Sequence, residues 1–143
     1  MKNNMLTVGF CTRKSDKSYI EHIKNTCGIK DIEIIEYVNN GISLAKAYND
    51  ILLRAKHDIV VLCHDDLIFD KKGWGKSIVN DLTNTEYGII GLAGTTKLSD
   101  NGVWWNHREL MVGCVSHLHN GKVSESVYCP PNKYGILETV VID

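Results

Sequence analysis

The strongest constraint on the fold lies in residues 44–63, where one hydrophobic period gives way to another. Leu44, Ala47, Tyr48, Ile51, Leu52 and Ala55 recur at i, i+3, i+4, i+7, i+8 and i+11 and trace one apolar face of a helix that Ser43 can cap. Four residues later Ile59–Cys63 is continuously apolar and β-branched, the pattern of a strand buried on both faces. A helix feeding directly into such a strand is half of a βαβ unit, which needs a parallel neighbour.

The same alternation extends in both directions. LTVGF (6–10) is a short β-prone run that ends in the polar CTRKSDKS. Tyr19, Ile20, Ile23 and Cys27 have helical spacing, and Gly28 follows as a stop. Ile32–Val38 is β-favouring and ends at Asn39-Asn40-Gly41, a turn signal. Trp74, Ile78, Val79 and Leu82 predict another helix with Trp74 in the core, and GIIGLAG (88–94) another buried strand. The order β-α-β-α-β-α-β predicts an α/β fold: a mostly parallel, Rossmann-like sheet flanked by helices, as one domain over 1–143. Beyond Gly94 the pattern changes. Residues 95–109 read as a polar loop holding Trp104 and Trp105, and MVGCVSHL and KVSESVYC flank His119-Asn120-Gly121 as a β-hairpin. The closing ILETVVID is strand-like and is expected to lead into a further part of the fold outside this sequence.

Composition narrows the function classes. With 43% hydrophobic and 23% charged residues the chain is globular in type, and a net charge of −1 without any basic block argues against nucleic acid as a partner. There is no secretory-signal pattern and no run near the roughly 20 apolar residues of a membrane helix. Five cysteines (Cys11, Cys27, Cys63, Cys114, Cys129), an odd number without a C-x-x-C pair, read as reduced thiols of a cytoplasmic protein. Cys63 reads as a small buried hydrophobe.

Chemistry concentrates in VVLCHDDLIFD (60–70), where His64, Asp65 and Asp66 interrupt two segments that favour burial. In an open parallel sheet, ligands bind beyond the carboxyl ends of the strands. The turns holding Cys11, Thr12 and Arg13, and Asn39, Asn40 and Gly41, are expected at that same edge. Adjacent carboxylates there suit Mg²⁺ or Mn²⁺, which also take phosphate oxygens. A solvated turn or a cap on the next helix accounts for the two aspartates equally well. Arg13 and Lys14 either attract a diphosphate or sit in a solvated loop.

NNGISLAKAYNDILLRAKHDIVVLCHDDLIF, with the later GWG and GIIGLAGTT, resembles the family-2-type glycosyltransferases, in particular a bacterial branch linked to capsule or surface-polysaccharide synthesis. The resemblance spans most of residues 5–118 and is most specific over 39–75. It implies a GT-A-like nucleotide-sugar fold, a sugar-nucleotide donor (most often a UDP-sugar), a divalent cation (Mn²⁺ or Mg²⁺), and a polysaccharide or glycolipid acceptor. Asp66 matches the last aspartate of the Asp-x-Asp motif, the family's metal ligand, and Asp65 the variable middle place. His64 stands where the family has its first aspartate, a departure that removes one negative charge. Thr12 and its neighbours match the nucleoside loop, Asn39 the position that reads the base, and Asn49 a supporting position on the helix. The implied location is cytoplasmic, with the inner face of the membrane as an alternative. The catalytic base of the family lies beyond the metal motif, in an acceptor part expected to be incomplete here.

Other classes fit fewer residues. A non-catalytic binding or assembly module, self-associating into a homo-oligomer, fits the same fold. Nucleotidyl transfer would need a glycine in CTRKSDKS. Trp104, Trp105, Asn106 and His107 suit a sugar ring and its hydroxyls, or cover a core edge, the commoner role of tryptophan. Cys114, His117 and His119 suggest zinc, but strand alternation puts Cys114 and His117 on opposite faces.

Overall fold

The computed structural model describes residues 5–38, 41–128, 139, 141 and 142, divided into two compact units, Met1–Glu86 and Tyr87–Asp143. The first unit contains β1 (Thr7–Thr12), α1 (Lys17–Cys27), β2 (Glu33–Val38), α2 (Leu44–Arg54), β3 (Val60–His64) and α3 (Trp74–Asn84). Its sheet has the order β2-β1-β3, and both pairings are parallel. The register runs from Thr7↔Glu33 to Thr12↔Val38 on one side of β1 and from Thr7↔Val60 to Cys11↔His64 on the other.

The central strand is the one buried on both faces: Thr7 and Val8 are 0% exposed and Phe10 1%. The run Ile59–Cys63, expected to hold that place, is instead half-buried up to Cys63, because β3 borders only one strand of this sheet. Alternate residues of β1 serve opposite layers. Val8 and Phe10 pack into a cluster with Ile23 and Cys27 of α1 and Trp74 and Val79 of α3. Phe10 meets Tyr19 edge to face at 5.0 Å, and Phe69 stacks on Trp74 at 4.1 Å. Trp74 is therefore core, as its helical spacing indicated. Gly9 faces the other way and lies under Ile51 of α2, so closely that a Cβ would collide with the Ile51 Cγ2. The sheet thus carries α1 and α3 on one face and α2 on the other.

Local chemistry accounts for the helix boundaries. Asp16 caps α1 by accepting from the Ser18 backbone N–H (2.8 Å), and Gly28 ends it in the left-handed region at φ +79°. Ser43 caps α2 by accepting from Lys46 N–H (3.3 Å). On the expected apolar face of α2, Ala47 and Ile51 are fully buried, whereas Leu44 and Leu52 are 41% and 49% exposed.

The second unit corrects the expectation of a fourth parallel strand. Within GIIGLAG only Ala93 and Gly94 belong to a strand, β4 (Ala93–Thr95), while Ile89 and Leu92 stand 76% and 69% exposed. β4 pairs antiparallel with β5 (Met111–His119) and with β7 (Val141–Ile142), and β6 (Lys122–Val127) completes a sheet of order β6-β5-β4-β7. A short apolar run carries no information about its partner's direction, so the sequence pattern alone could not separate these arrangements. The expected hairpin forms between β5 and β6. Asn120 (φ 51°) and Gly121 (φ 74°) sit in its two-residue turn, the backbone that Asn-Gly favours. Residues 96–107 lie outside regular elements, as expected, and a short 3₁₀ turn, Arg108–Leu110, leads into β5.

Candidate functional site

β2 and β3 leave β1 in opposite directions across the sheet, so the gap between the carboxyl ends of β1 and β3 is a topological switch point. The register pairs Cys11, near the end of β1, with His64, the last residue of β3. Beyond them opens a cavity of about 560 Å³ lined by Cys11, Thr12, Arg13, Lys14, Leu44, His64 and Asp65. Six residues singled out in the sequence for their chemistry (Cys11, Thr12, Arg13, Lys14, His64 and Asp65) therefore come together.

A second cavity of about 300 Å³ lies against the start of α1, lined by Asp16, Ser18, Tyr19, His22, Asp65, Asp66, Leu67 and Ile68. Asp65 borders both cavities, while Asp66 lines only the second among those described. Gly41, at φ +106°, lines neither, and Asn39 and Asn40 lie outside the described residues. Asn49 is exposed on α2.

The loop after β1 is internally braced. Thr12 is 7% exposed, and its hydroxyl donates to the Lys14 carbonyl (2.9 Å) while accepting from the Lys14 N–H (3.3 Å). That leaves the Arg13 and Lys14 side chains as the cationic part of the cavity lining, with Asp65 as the acidic part.

The end of β3 is held from both sides of the sheet. Tyr19 of α1 donates its phenol to the His64 carbonyl (2.8 Å), and Tyr48 of α2 donates to the Cys63 carbonyl (3.0 Å). Burial pushes the Tyr48 phenol up to about 12, with the neighbouring Cys63, Cys11 and Asp65 adding to it. Burial likewise raises Tyr19, helped by Cys63 and by Asp65 and Asp66. Both phenols stay protonated and remain donors at physiological pH. Cys63 itself is pushed by burial up to about 11, the state of a buried thiol and not of a nucleophile.

Neither tyrosine stood out in the sequence, because periodicity counts both as apolar positions. The available signal was chemical: a phenol on a buried helix face needs a partner for its hydroxyl. Further along the loop, the Phe69 backbone N–H donates to Nε2 of His22 (3.1 Å), which ties the segment after Asp66 back to α1.

A strand-end cavity with both signs of charge, on a doubly wound sheet, names no family by itself. The family model described as "Glycosyltransferase like family" matches residues 12–143. The chain belongs to this glycosyltransferase-like family. No curated protein and no solved structure gives a match. For a glycosyltransferase-like protein, a sugar donor and an acceptor are the partners that membership implies. Its mixed α/β first unit, with three parallel strands and three helices, is consistent with that assignment. Among the described residues, no helix is long and apolar enough to cross a membrane.

Proposed function

We infer that the first unit binds the nucleoside diphosphate of a sugar donor, UDP-linked in the first instance, in the cavity between the ends of β1 and β3. The protein then transfers the sugar to a saccharide or lipid-linked acceptor. The observation that carries this reading is the convergence of Cys11, Thr12, Arg13, His64 and Asp65 on one cavity at the switch point. Its volume of about 560 Å³ lies within the range of small-molecule sites.

Asp65 and Asp66 supply exposed carboxylate oxygens, and neither forms an ion pair among the described residues. Hard oxygen donors of this kind fit Mg²⁺ or Mn²⁺. Asp65 borders the strand-end cavity itself, and Asp66, the metal ligand that the family resemblance implies, follows it on the side of the second cavity. An ion would therefore sit where the two cavities meet at Asp65. Among the described residues no three of His, Cys, Asp and Glu form a complete ligand set. The two carboxylates would therefore share the ion with diphosphate oxygens and water, the usual pattern for Mg²⁺. An ion held there would supply Lewis-acid neutralisation of a departing nucleoside diphosphate.

The chain's own residues do the positioning. Arg13 and Lys14 bring positive charge to the cavity that takes the phosphates. The His64 imidazole, on the same side of the sheet as Cys11, offers a hydrogen bond to a ribose hydroxyl without adding negative charge. Tyr19 and Tyr48 fix the β3 terminus, and with it the start of the acidic turn.

Calorimetric titration of UDP with and without Mn²⁺ tests this reading. Binding should depend on the metal, and Asp66→Ala and Asp65→Ala should each weaken it about tenfold or more, the effect of losing one charged contact. Affinity indifferent both to Mn²⁺ and to the two substitutions would remove the donor site from this edge of the sheet.

A further inference from the structure

The second unit carries an aromatic cluster whose residues are not among those lining the two cavities described above. Trp105 is 61% exposed, although tryptophan is among the most costly side chains to leave in water. It is held in place. Trp104 meets it edge to face at 5.8 Å, and Tyr128 meets Trp104 in the same way at 6.5 Å. Tyr128 is in turn anchored to β5 through its backbone N–H and the Gly113 carbonyl (2.9 Å).

The turn that leads into the pair is closed by its own polar groups. Oδ1 of Asn101 accepts from Ser99 Oγ (2.8 Å), from Val103 N–H (3.1 Å) and from Asn106 Nδ2 (3.0 Å). The Val103 carbonyl (2.5 Å) is the alternative acceptor for the single Ser99 hydroxyl proton, and Gly102 N–H donates to the Ser99 carbonyl (2.9 Å). A loop whose task was to cover a core edge would turn the indole inward. This one holds it outward on a braced frame. The residues that follow, Asn106, His107, Arg108 and Glu109, are all polar and exposed.

We propose that Trp105 is a stacking platform for a pyranose ring of a saccharide; the Asn106 amide oxygen and Nε2 of His107, whose Nδ1 meets Glu109 (3.3 Å), are the neighbouring groups for the ring hydroxyls. A hexose has an apolar C–H face and a polar edge, which matches an exposed indole followed in the chain by four exposed polar side chains. An apolar peptide or an acyl chain would need an apolar rim. The choice of a saccharide rests on the sugar-transfer reading above, and makes this loop a contact for the acceptor.

The test uses the full chain and the indole N–H resonances in ¹H–¹⁵N spectra. Trp74 is the internal reference, because its buried Nε1 donates to Thr26 Oγ1 (3.1 Å) in the core. The probes are cellotetraose, maltotetraose, mannotetraose and chitotetraose, and separately UDP. At least one tetrasaccharide should shift the Trp105 resonance saturably and leave Trp74 unmoved. Trp105→Ala should weaken that binding at least about tenfold, and Trp105→Phe should keep it within about threefold, as for an aromatic anchor. No shift with any tetrasaccharide, undiminished binding in Trp105→Ala, or a Trp105 shift produced only by UDP would overturn the proposal. Saccharide binding without UDP binding would leave the platform standing and remove the donor site; UDP binding at the strand ends without saccharide binding would do the reverse.

Discussion

The phenol of Tyr19 donates to the main-chain carbonyl of His64 at 2.8 Å, joining the first turn of α1 to the last residue of β3. With Tyr48 bonded to the Cys63 carbonyl from the opposite layer, consecutive carbonyls at the strand end are each fixed by a helix. The acidic turn therefore begins from a rigid point, which the proposed diphosphate site requires.

Tyr48→Phe removes its bond to the Cys63 carbonyl, and Tyr19→Phe removes the bond to the His64 carbonyl together with the longer contact to Cys63 Sγ (3.8 Å), with little change in packing volume. Each should cost about 1 kcal/mol in urea unfolding. Both should also weaken metal-dependent UDP binding by a few-fold, since the loop they anchor loses its fixed start. Unchanged UDP affinity beside the expected stability loss would mean that the two phenols serve the fold alone.

Glu33 offers a pH-dependent test of how the first unit is joined. Its carboxylate accepts from the Lys56 backbone N–H (2.8 Å) and the Thr7 hydroxyl (2.8 Å), and pairs with the Lys56 ammonium (3.4 Å). These bonds, the Lys56 N–H foremost, hold its carboxyl below the ordinary 4.5. A depressed carboxyl stabilises the fold above its unfolded-state value and loses that contribution as pH falls through the folded-state value. Glu33→Gln should therefore destabilise by about 1 kcal/mol at neutral pH. The gap from wild type should close as the pH drops below 4.5. A pH-independent gap in urea midpoints would contradict this.

Gly9 and Ile51 test the close approach of α2 to the central strand. Gly9→Ala drives a methyl into the Ile51 side chain and should cost about 1–3 kcal/mol, as overpacked cores do. Ile51→Ala added to it should recover part of the loss, a coupling that a double-mutant cycle measures. Strict additivity would show that the two residues do not share the space.

The cysteines give a footprint of the cavity. Cys11 lines it, Cys114 is exposed in the second unit, and Cys27 and Cys63 are buried with thiols raised by burial. Maleimide labelling read by peptide mass should modify Cys11 and Cys114 in the native protein, and Cys27 and Cys63 only on unfolding. UDP with Mn²⁺ should slow Cys11 several-fold and leave Cys114 unchanged. Equal rates at Cys11 with and without ligand would argue against occupancy of that cavity.

The parallel core was legible because its signals are local. Period 3.6 over residues 44–55, the apolar run before His64, and the stop at Gly28 each reflect a constraint that acts within one element. The place of Ala93–Thr95 was not legible, since antiparallel pairing with Met111–Gly113 and Val141–Ile142 is decided far away in sequence. In the site, His64, Asp65 and Asp66 were conspicuous as charge between apolar segments. Tyr19 and Tyr48 were hidden by the aliphatic faces on which they sit. Trp105 could be read as cover or as platform, and only its exposure separates the two.

The central claim is that a nucleoside diphosphate and its cation sit between the ends of β1 and β3. Paramagnetic broadening by Mn²⁺ in backbone amide spectra tests it most directly, because the ion bleaches whatever lies around it. With UDP present, substoichiometric Mn²⁺ should broaden the amides of Thr12–Lys14 and His64–Leu67 first, and the effect should vanish in Asp66→Ala. Broadening centred elsewhere, or unchanged in Asp66→Ala, would contradict the account.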